Sequence, residues 1–276
     1  MVFLPSIRPR HELDPYVKNF LLSHVNLRDA RADQRLRPVP PDANQSLFFY
    51  PRSHVNVIVN STGERRKSAS SIFVGNQNSR INIEFGDDHL IIQVCFKSGF
   101  LYHLLGMPIQ EFNHKEINAE FLSSPEIKIL NEQLAELSDY RQMIALIENY
   151  LLHRIASVKI KTRPIDKAIT YLKDNRGQVS LDWLANEACL SARQFERTFY
   201  DRTGMSPKFF ARVTRFDNAF KLKTAQPSMN WLAVAEASGY FDFSHLMRDF
   251  KQFAEVTPSL LMAQEMASPD GTFFIR

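Results

Sequence analysis

The chain has 276 residues, of which 44% are apolar and 23% charged, a balance that suits a globular protein and excludes a largely disordered one. At this length two domains are expected. No run approaches the roughly 18 apolar residues of a membrane span, and the opening MVFLPSIRPR, broken by Pro5, lacks the apolar core of a signal peptide, so no membrane partner and a cytoplasmic location are expected.

The first half alternates apolar and polar residues at period two in SLFFY (46–50), HVNVIV (54–59), SSIFV (70–74), RINIEF (80–85) and HLIIQVCF (89–96). Pro51, Gly63 and Gly86 separate these runs, which predicts an antiparallel sheet or small barrel. After Gly99 the period changes. Leu101, Leu104 and Leu105 predict a short helix that stops near Gly106 and Pro108, and two longer helices follow at about 125–138 and 140–156. In the second of these, Tyr140, Ile144, Ile147, Leu151 and Ile155 form one apolar stripe, expected either to pack on its own barrel or to pair two subunits. The polar VKIKTRP (158–164) closes on a proline, and the domain boundary is placed there, giving 1–157 and 158–276.

From Pro164 the pattern is wholly helical. Pro164 suits a first helical position, Ile165, Ala168, Ile169 and Leu172 form a stripe, and Asn175 to Gly177 supplies a stop. Ser180 is placed to cap a helix over 181–188. Comparing the region with itself reveals a repeat. Ala185 and Cys189 pair with Ala235 and Gly239 at a separation of 50, while Phe195, Arg197, Phe199 and Pro207 pair with Leu246, Arg248, Phe250 and Pro258 at 51. Each copy has the pattern of a helix-turn-helix, about 179–200 and 231–251, with a small residue where the helices cross and Ser191 or Asp242 as N-cap of the second helix. On those second helices Arg193, Gln194, Glu196, Arg197 and Tyr200, and then Phe243, Ser244, His245, Arg248 and Lys251, point outward and could reach base edges in a major groove of double-stranded DNA.

Charge supports that partner. Residues 1–157 hold 17 basic and 17 acidic side chains, whereas 158–223 hold 14 and 7, a net of +7, and 224–276 hold 3 and 6, a net of −3. The basic excess thus surrounds the first unit, the kind of surface that attracts phosphate.

LANEACLSARQFERTF, the following GMSPKFFARVTRFDNA, and AVAEASGYFDFSHLMRDFK with VTPS after it resemble the DNA-binding domain of the AraC/XylS family over 164 to about 263. The resemblance implies two units joined by a long helix, for which Phe209, Val213, Phe216 and Phe220 are the buried candidates, and binding to two successive major-groove segments. Three residues depart from the family pattern: Cys189 and Glu255 stand where glycine is common, and Phe243 where a polar residue is. FKSGFLYHLLGMP (96–108) resembles, more weakly, the phrase after the last strand of the sensory domains found ahead of this motif. The implied architecture is α+β, with an antiparallel barrel-like (cupin-like) sensory or dimerisation domain before an all-α DNA-binding domain. An unidentified small effector, RNA polymerase and a second copy of the chain are the further partners implied for an activator of transcription. The strand aromatics Phe48, Tyr50, Phe73, Phe85 and Phe96 are the candidate pocket residues, although alternating aromatics are also what a half-buried strand requires.

No catalytic residue, metal or cofactor is expected. The alternative is a barrel-type metal enzyme with a DNA-binding tail, which needs converging ligands, whereas His54, His89, His103 and His114 fall at no metal-binding spacing. A zinc-thiolate repair domain is excluded by Cys95 being the sole cysteine of the first half. A nonspecific, nucleoid-like binder differs from a regulator in giving no fixed footprint.

Overall fold

A computed structural model describes residues 2–59, 62–112, 116–122 and 125–266, so His114 and the last ten residues of the second predicted domain lie outside the described residues. Among the described residues, ten strands form two antiparallel sheets. The strands are β1 (Val2–Ile7), β2 (Val17–Asn26), β3 (Leu36–Val39), β4 (Gln45–Phe49), β5 (Asn56–Val59), β6 (Arg65–Lys67), β7 (Ser71–Val74), β8 (Ile81–Glu84), β9 (Asp88–Phe96) and β10 (Ile117–Asn118). One sheet runs β1-β2-β9-β4-β7-β10 and the other β3-β8-β5-β6. All five alternating runs of the sequence are strands within a residue or two of their expected limits.

β2 was not expected, and its burial explains why. Leu21 and Val25 face the second sheet while Val17, Phe20 and Leu22 face the helices, so both faces carry apolar residues and no clean alternation shows. The outer face of the six-stranded sheet is covered by α1 (Phe100–Leu105), α2 (Ala119–Leu122), α3 (Pro125–Glu136) and α4 (Tyr140–Ala156). Asp139 caps α4 by accepting from the Arg141 and Gln142 backbone N–H groups. Of the two readings of the α4 stripe, packing on its own sheet holds: Ile144, Ile147, Leu151 and Ile155 are buried in this same core, and Tyr140 packs at its edge. It covers its own sheet and is not a surface for pairing two copies.

The second half holds α5 (Pro164–Asp174), α6 (Leu181–Glu187), α7 (Ala192–Thr203), α8 (Pro207–Ala225), α9 (Trp231–Ala237), α10 (Phe243–Phe253) and α11 (Pro258–Met266) around a second core. α8 runs between the two helix-turn-helix units, and Phe210, Val213, Phe216, Ala219 and Phe220 are buried along it. The stripe begins at Phe210 rather than at Phe209, which is only partly buried, with its ring edge-on to Phe253 at 5.6 Å. Gly177 ends α5 with φ +72°, and a Cβ there would lie 2.2 Å from the Ala211 carbonyl oxygen. Only glycine allows α5 and α8 to meet this closely.

Candidate nucleic-acid interface and cavity

Each helix-turn-helix is built by the same few contacts. In the first, Ser180 caps α6, the Leu190 N–H donates to the Ala185 carbonyl at 3.0 Å, and Ser191 caps α7. In the second, Asn230 caps α9, the Tyr240 N–H donates to the Ala235 carbonyl at 2.9 Å, and Asp242 accepts from the His245 N–H at 2.6 Å. The crossing residues Ala185 and Ala235 are buried, as are Phe195, Phe199, Leu246 and Phe250 on the inward faces of the two second helices. The turn needs a left-handed residue, supplied by Gly239 at φ 74° in the second copy and by Cys189 at φ 55° in the first. A matching pair closes each unit: Gly204 has φ 68° and Glu255 φ 58°. Both sequence departures from glycine therefore sit where the backbone still takes the glycine-favoured conformation.

On the outward face of α7, Arg193, Gln194, Glu196 and Arg197 are exposed, and Tyr200 is half-buried. On α10, Phe243, Ser244, Arg248 and Lys251 are exposed, while His245 is half-buried with its ring edge-on to Tyr240 at 5.2 Å. Phe241, in the turn just before α10, is 92% exposed, and the sequence did not single it out. Asp249, beside Arg248 in sequence, points the other way. It is fully buried, accepts from Arg212 of α8 at 2.5 Å and from the Tyr240 hydroxyl at 3.2 Å, and so takes no charge from the outward face. Arg248 instead bonds its own helix, from Nε to the Ser244 carbonyl at 3.4 Å.

The two sheets of the first half enclose a cavity of about 410 Å³. Period two sorts the predicted pocket aromatics. Phe48, Tyr50 and Phe85 line the cavity, but Phe73 and Phe96 do not. Phe73 pairs across the sheet with Leu47, and Phe96 lies in register with Val94 and Ile92 along β9; all five point into the helix-covered core. A shift of one residue along a strand exchanges faces, so these two positions are corrected to core.

The cavity wall mixes Val and Ile from both sheets with polar and charged groups that the sequence did not single out. Arg37 of β3 is the bulkiest fully buried side chain, at 1% exposure, and its place in the short LRPV strand gave no advance signal. Glu116 is pushed up by burial, against the opposing effects of a hydrogen bond donated by Ser68 at 2.9 Å and of nearby Arg66. Burial likewise raises Asp42, against a hydrogen bond from the Asn44 backbone. Burial thus drives both carboxyls toward the neutral form while an arginine charge is held inside.

The two halves meet around Asp166 of α5. Burial alone would raise its carboxyl, but contacts from His103 of α1 at 3.2 Å, the Arg163 backbone N–H at 2.7 Å and Arg202 of α7 at 2.5 Å hold it below the usual carboxylate range. The Arg202 guanidinium lies 4.7 Å above the Tyr102 ring, so α7 is tied to α1 from both sides. Lys173 of α5 donates to the Ala43 carbonyl at 2.7 Å and to Asn44 Oδ1 at 2.8 Å. Among the described residues no group of three or more His, Cys, Asp or Glu is placed to hold a metal ion, and no helix is long and apolar enough to cross a membrane.

Comparison with known proteins agrees with this geometry. A helix-turn-helix domain family matches residues 184–264, and a domain family of unknown function (DUF6597) matches residues 5–118. An uncharacterized HTH-type transcriptional regulator from Haemophilus influenzae is 31% identical over 134 residues, 43% of this chain and 44% of the relative, so the match spans less than half of that protein. Among solved structures, ToxT from Vibrio cholerae has a TM-score of 0.50 at 12% identity over 89% of this chain and 98% of its own. The unsaturated fatty acid bound form of wild-type ToxT has a TM-score of 0.50 at 13% identity over 90% and 96%. At such identity the likeness is one of fold: a mixed chain with an antiparallel sheet domain followed by a helical domain. The repeat, its caps and the family match together make residues 184–264 a helix-turn-helix domain.

Proposed function

We propose that the protein is a sequence-specific, DNA-binding transcription regulator of the AraC/XylS kind, with residues 158–276 as the DNA-binding unit and 1–157 as the sensory unit. The observation that carries this reading is the paired presentation of α7 and α10, each with its base-reaching side chains in solvent and its apolar face locked into one core. Arg193, Gln194, Glu196, Arg197 and Tyr200 read one major-groove segment, and Phe243, Ser244, His245, Arg248 and Lys251 the next. Arginine and glutamine supply bidentate donors to guanine and adenine, and Phe243 packs on a thymine methyl.

The cavity is the site of a small effector. Its Val and Ile side chains suit a largely apolar molecule, and Phe48, Tyr50 and Phe85 form its aromatic side. That ToxT has been crystallised with an unsaturated fatty acid is in keeping with this chemistry. As an activator the protein would act on RNA polymerase from its site. A second copy, where one joins, uses a surface other than the α4 stripe.

The test is a footprint of the full-length protein on intergenic DNA next to its own gene. A regulator protects one defined site covering two adjacent helical turns on one face of the duplex. Uniform protection without a fixed boundary would leave a nonspecific binder.

A further inference from the structure

α7 and α10 share α8, but the sheet domain holds each of them as well, at carbonyls that lie one residue apart in the repeat. Gln45 Nε2 donates to the carbonyl of Arg202 at the last turn of α7 at 2.9 Å, and Arg80 Nη1 donates to the carbonyl of Ala254, which caps α10, at 2.5 Å. Arg202 and Phe253, the residue before Ala254, are the repeat partners at a separation of 51. The two holding segments are themselves joined, because the Gln77 N–H donates to the Asp42 carbonyl at 3.1 Å. Gln45 is further fixed by its Oε1, which accepts from the Gly99 and Leu101 N–H groups at 3.1 and 3.3 Å. The contacts therefore close a ring: α7, α8, α10, Arg80, the 77–42 link, Gln45, and α7 again.

From this ring we infer that Gln45 and Arg80 are positioning residues that set the separation of the two recognition helices, and with it the spacing of the two DNA segments the protein accepts. α8 and the core it shares with α7 and α10 join the two units on one side; the contacts from Gln45 and Arg80 add a second connection on the far side. Both contacts grip C-terminal carbonyls, whereas base contacts come from the N-terminal part of a recognition helix. Consistent with positioning rather than occlusion, Arg193, Gln194, Arg197, Phe243 and Ser244 stay exposed while the grip is made. The same two segments, through Asp42, Asn44, Ser46 and residues 75–79, form one wall of the cavity, so ring and cavity share backbone.

This inference rests on α7 and α10 being the DNA-reading helices, and the experiment separates the two claims. The full-length chain selects a preferred duplex from a random pool, and binding is then measured on that duplex and on versions with one base pair inserted or removed between its two segments. Wild type should prefer the parental spacing. Arg80→Ala and Gln45→Ala should each reduce that preference by roughly fivefold or more, at little change in affinity for a duplex carrying one segment alone, and Arg80→Lys should restore most of it. Because Gln45 is buried, Arg80→Ala decides the matter if Gln45→Ala does not fold. An unchanged spacing preference in folded Arg80→Ala overturns the inference while leaving the DNA-binding reading intact. Failure of wild type to select any common duplex overturns both.

Discussion

Arg197 and Arg248 occupy the same place in the two copies and both are exposed, yet their surroundings differ. Arg197 follows Arg193 by one helical turn within a region of net +7, whereas Arg248 lies in a region of net −3 and spends one donor on Ser244 of its own helix. Arg197→Ala should therefore cost about 1–3 kcal/mol of DNA affinity and relax preference at one base position. Arg248→Ala should cost about 1 kcal/mol or less on the same scale. Titration of both variants on one duplex at one salt concentration checks the order, and an equal or larger loss for Arg248→Ala reverses it. Cys189 offers a second residue-scale test. A side chain held at φ 55° carries a left-handed cost of roughly 1–2 kcal/mol, partly offset in a glycine variant by the greater entropy of its unfolded chain. Cys189→Gly should then raise stability by about 1 kcal/mol or less, seen as a higher denaturant midpoint; a lower midpoint would mean that the thiol makes a contact worth more than the strain.

Among the elements, α5 and α8 approach each other closely at Gly177. Alanine at 177 would combine left-handed strain with a Cβ driven to 2.2 Å from the Ala211 carbonyl, and a backbone atom cannot swing aside as a side chain can. Gly177→Ala should destabilise the protein by about 2–4 kcal/mol, the sum of a left-handed residue and an overpacked contact. Denaturant unfolding measures it, and a loss under about 1 kcal/mol would show that α8 shifts at little cost. The elements of the helical half could be read in advance because their signals are local: Pro164 at a first turn, and Ser180, Ser191 and Asp242 as caps, each accept or spare a backbone N–H within three residues. β2 had no such local mark, since its apolar residues serve two cores at once. Phe73 and Phe96 show the same limit, for alternation reveals that a strand has two faces without revealing which face meets the cavity.

For the molecule as a whole, the contact between halves carries a pH dependence through Lys173. Burial, aided by Lys18 and opposed by Asp42, lowers its ammonium from the ordinary 10.5 to about 8. Between those values the folded chain has released a proton that the unfolded chain still holds, so stability rises with pH from about 8 to about 10.5, and below about 8 the folded state bears the full cost of the charge. Lys173→Met should flatten that rise relative to wild type in unfolding measured across this range, and parallel curves for the two proteins would show that Lys173 is not the responsible group. The helical half has its own continuous core, to which the sheet domain contributes only Ala43 among the buried residues, so a fragment of residues 164–276 is expected to fold and bind the same duplex. It should, however, discriminate less between spacings, having lost Gln45 and Arg80. A soluble, folded fragment without specific binding would remove the DNA-binding assignment.

The sequence by itself determined the two repeated units, the caps Ser180, Ser191 and Asp242, which face of each second helix is apolar, and where β4, β5, β7, β8 and β9 lie, because each of these follows from residues within a turn or a strand of one another. It did not reveal that Asp249 turns inward to Arg212, that Arg37 is buried, or that Asp166 gathers His103 and Arg202. Nor did it reveal that Gln45 and Arg80 reach the ends of α7 and α10, 157 and 174 residues away along the chain. Those pairings join residues whose separation carries no period, and only the packing of the two halves against each other brings them within hydrogen-bonding distance.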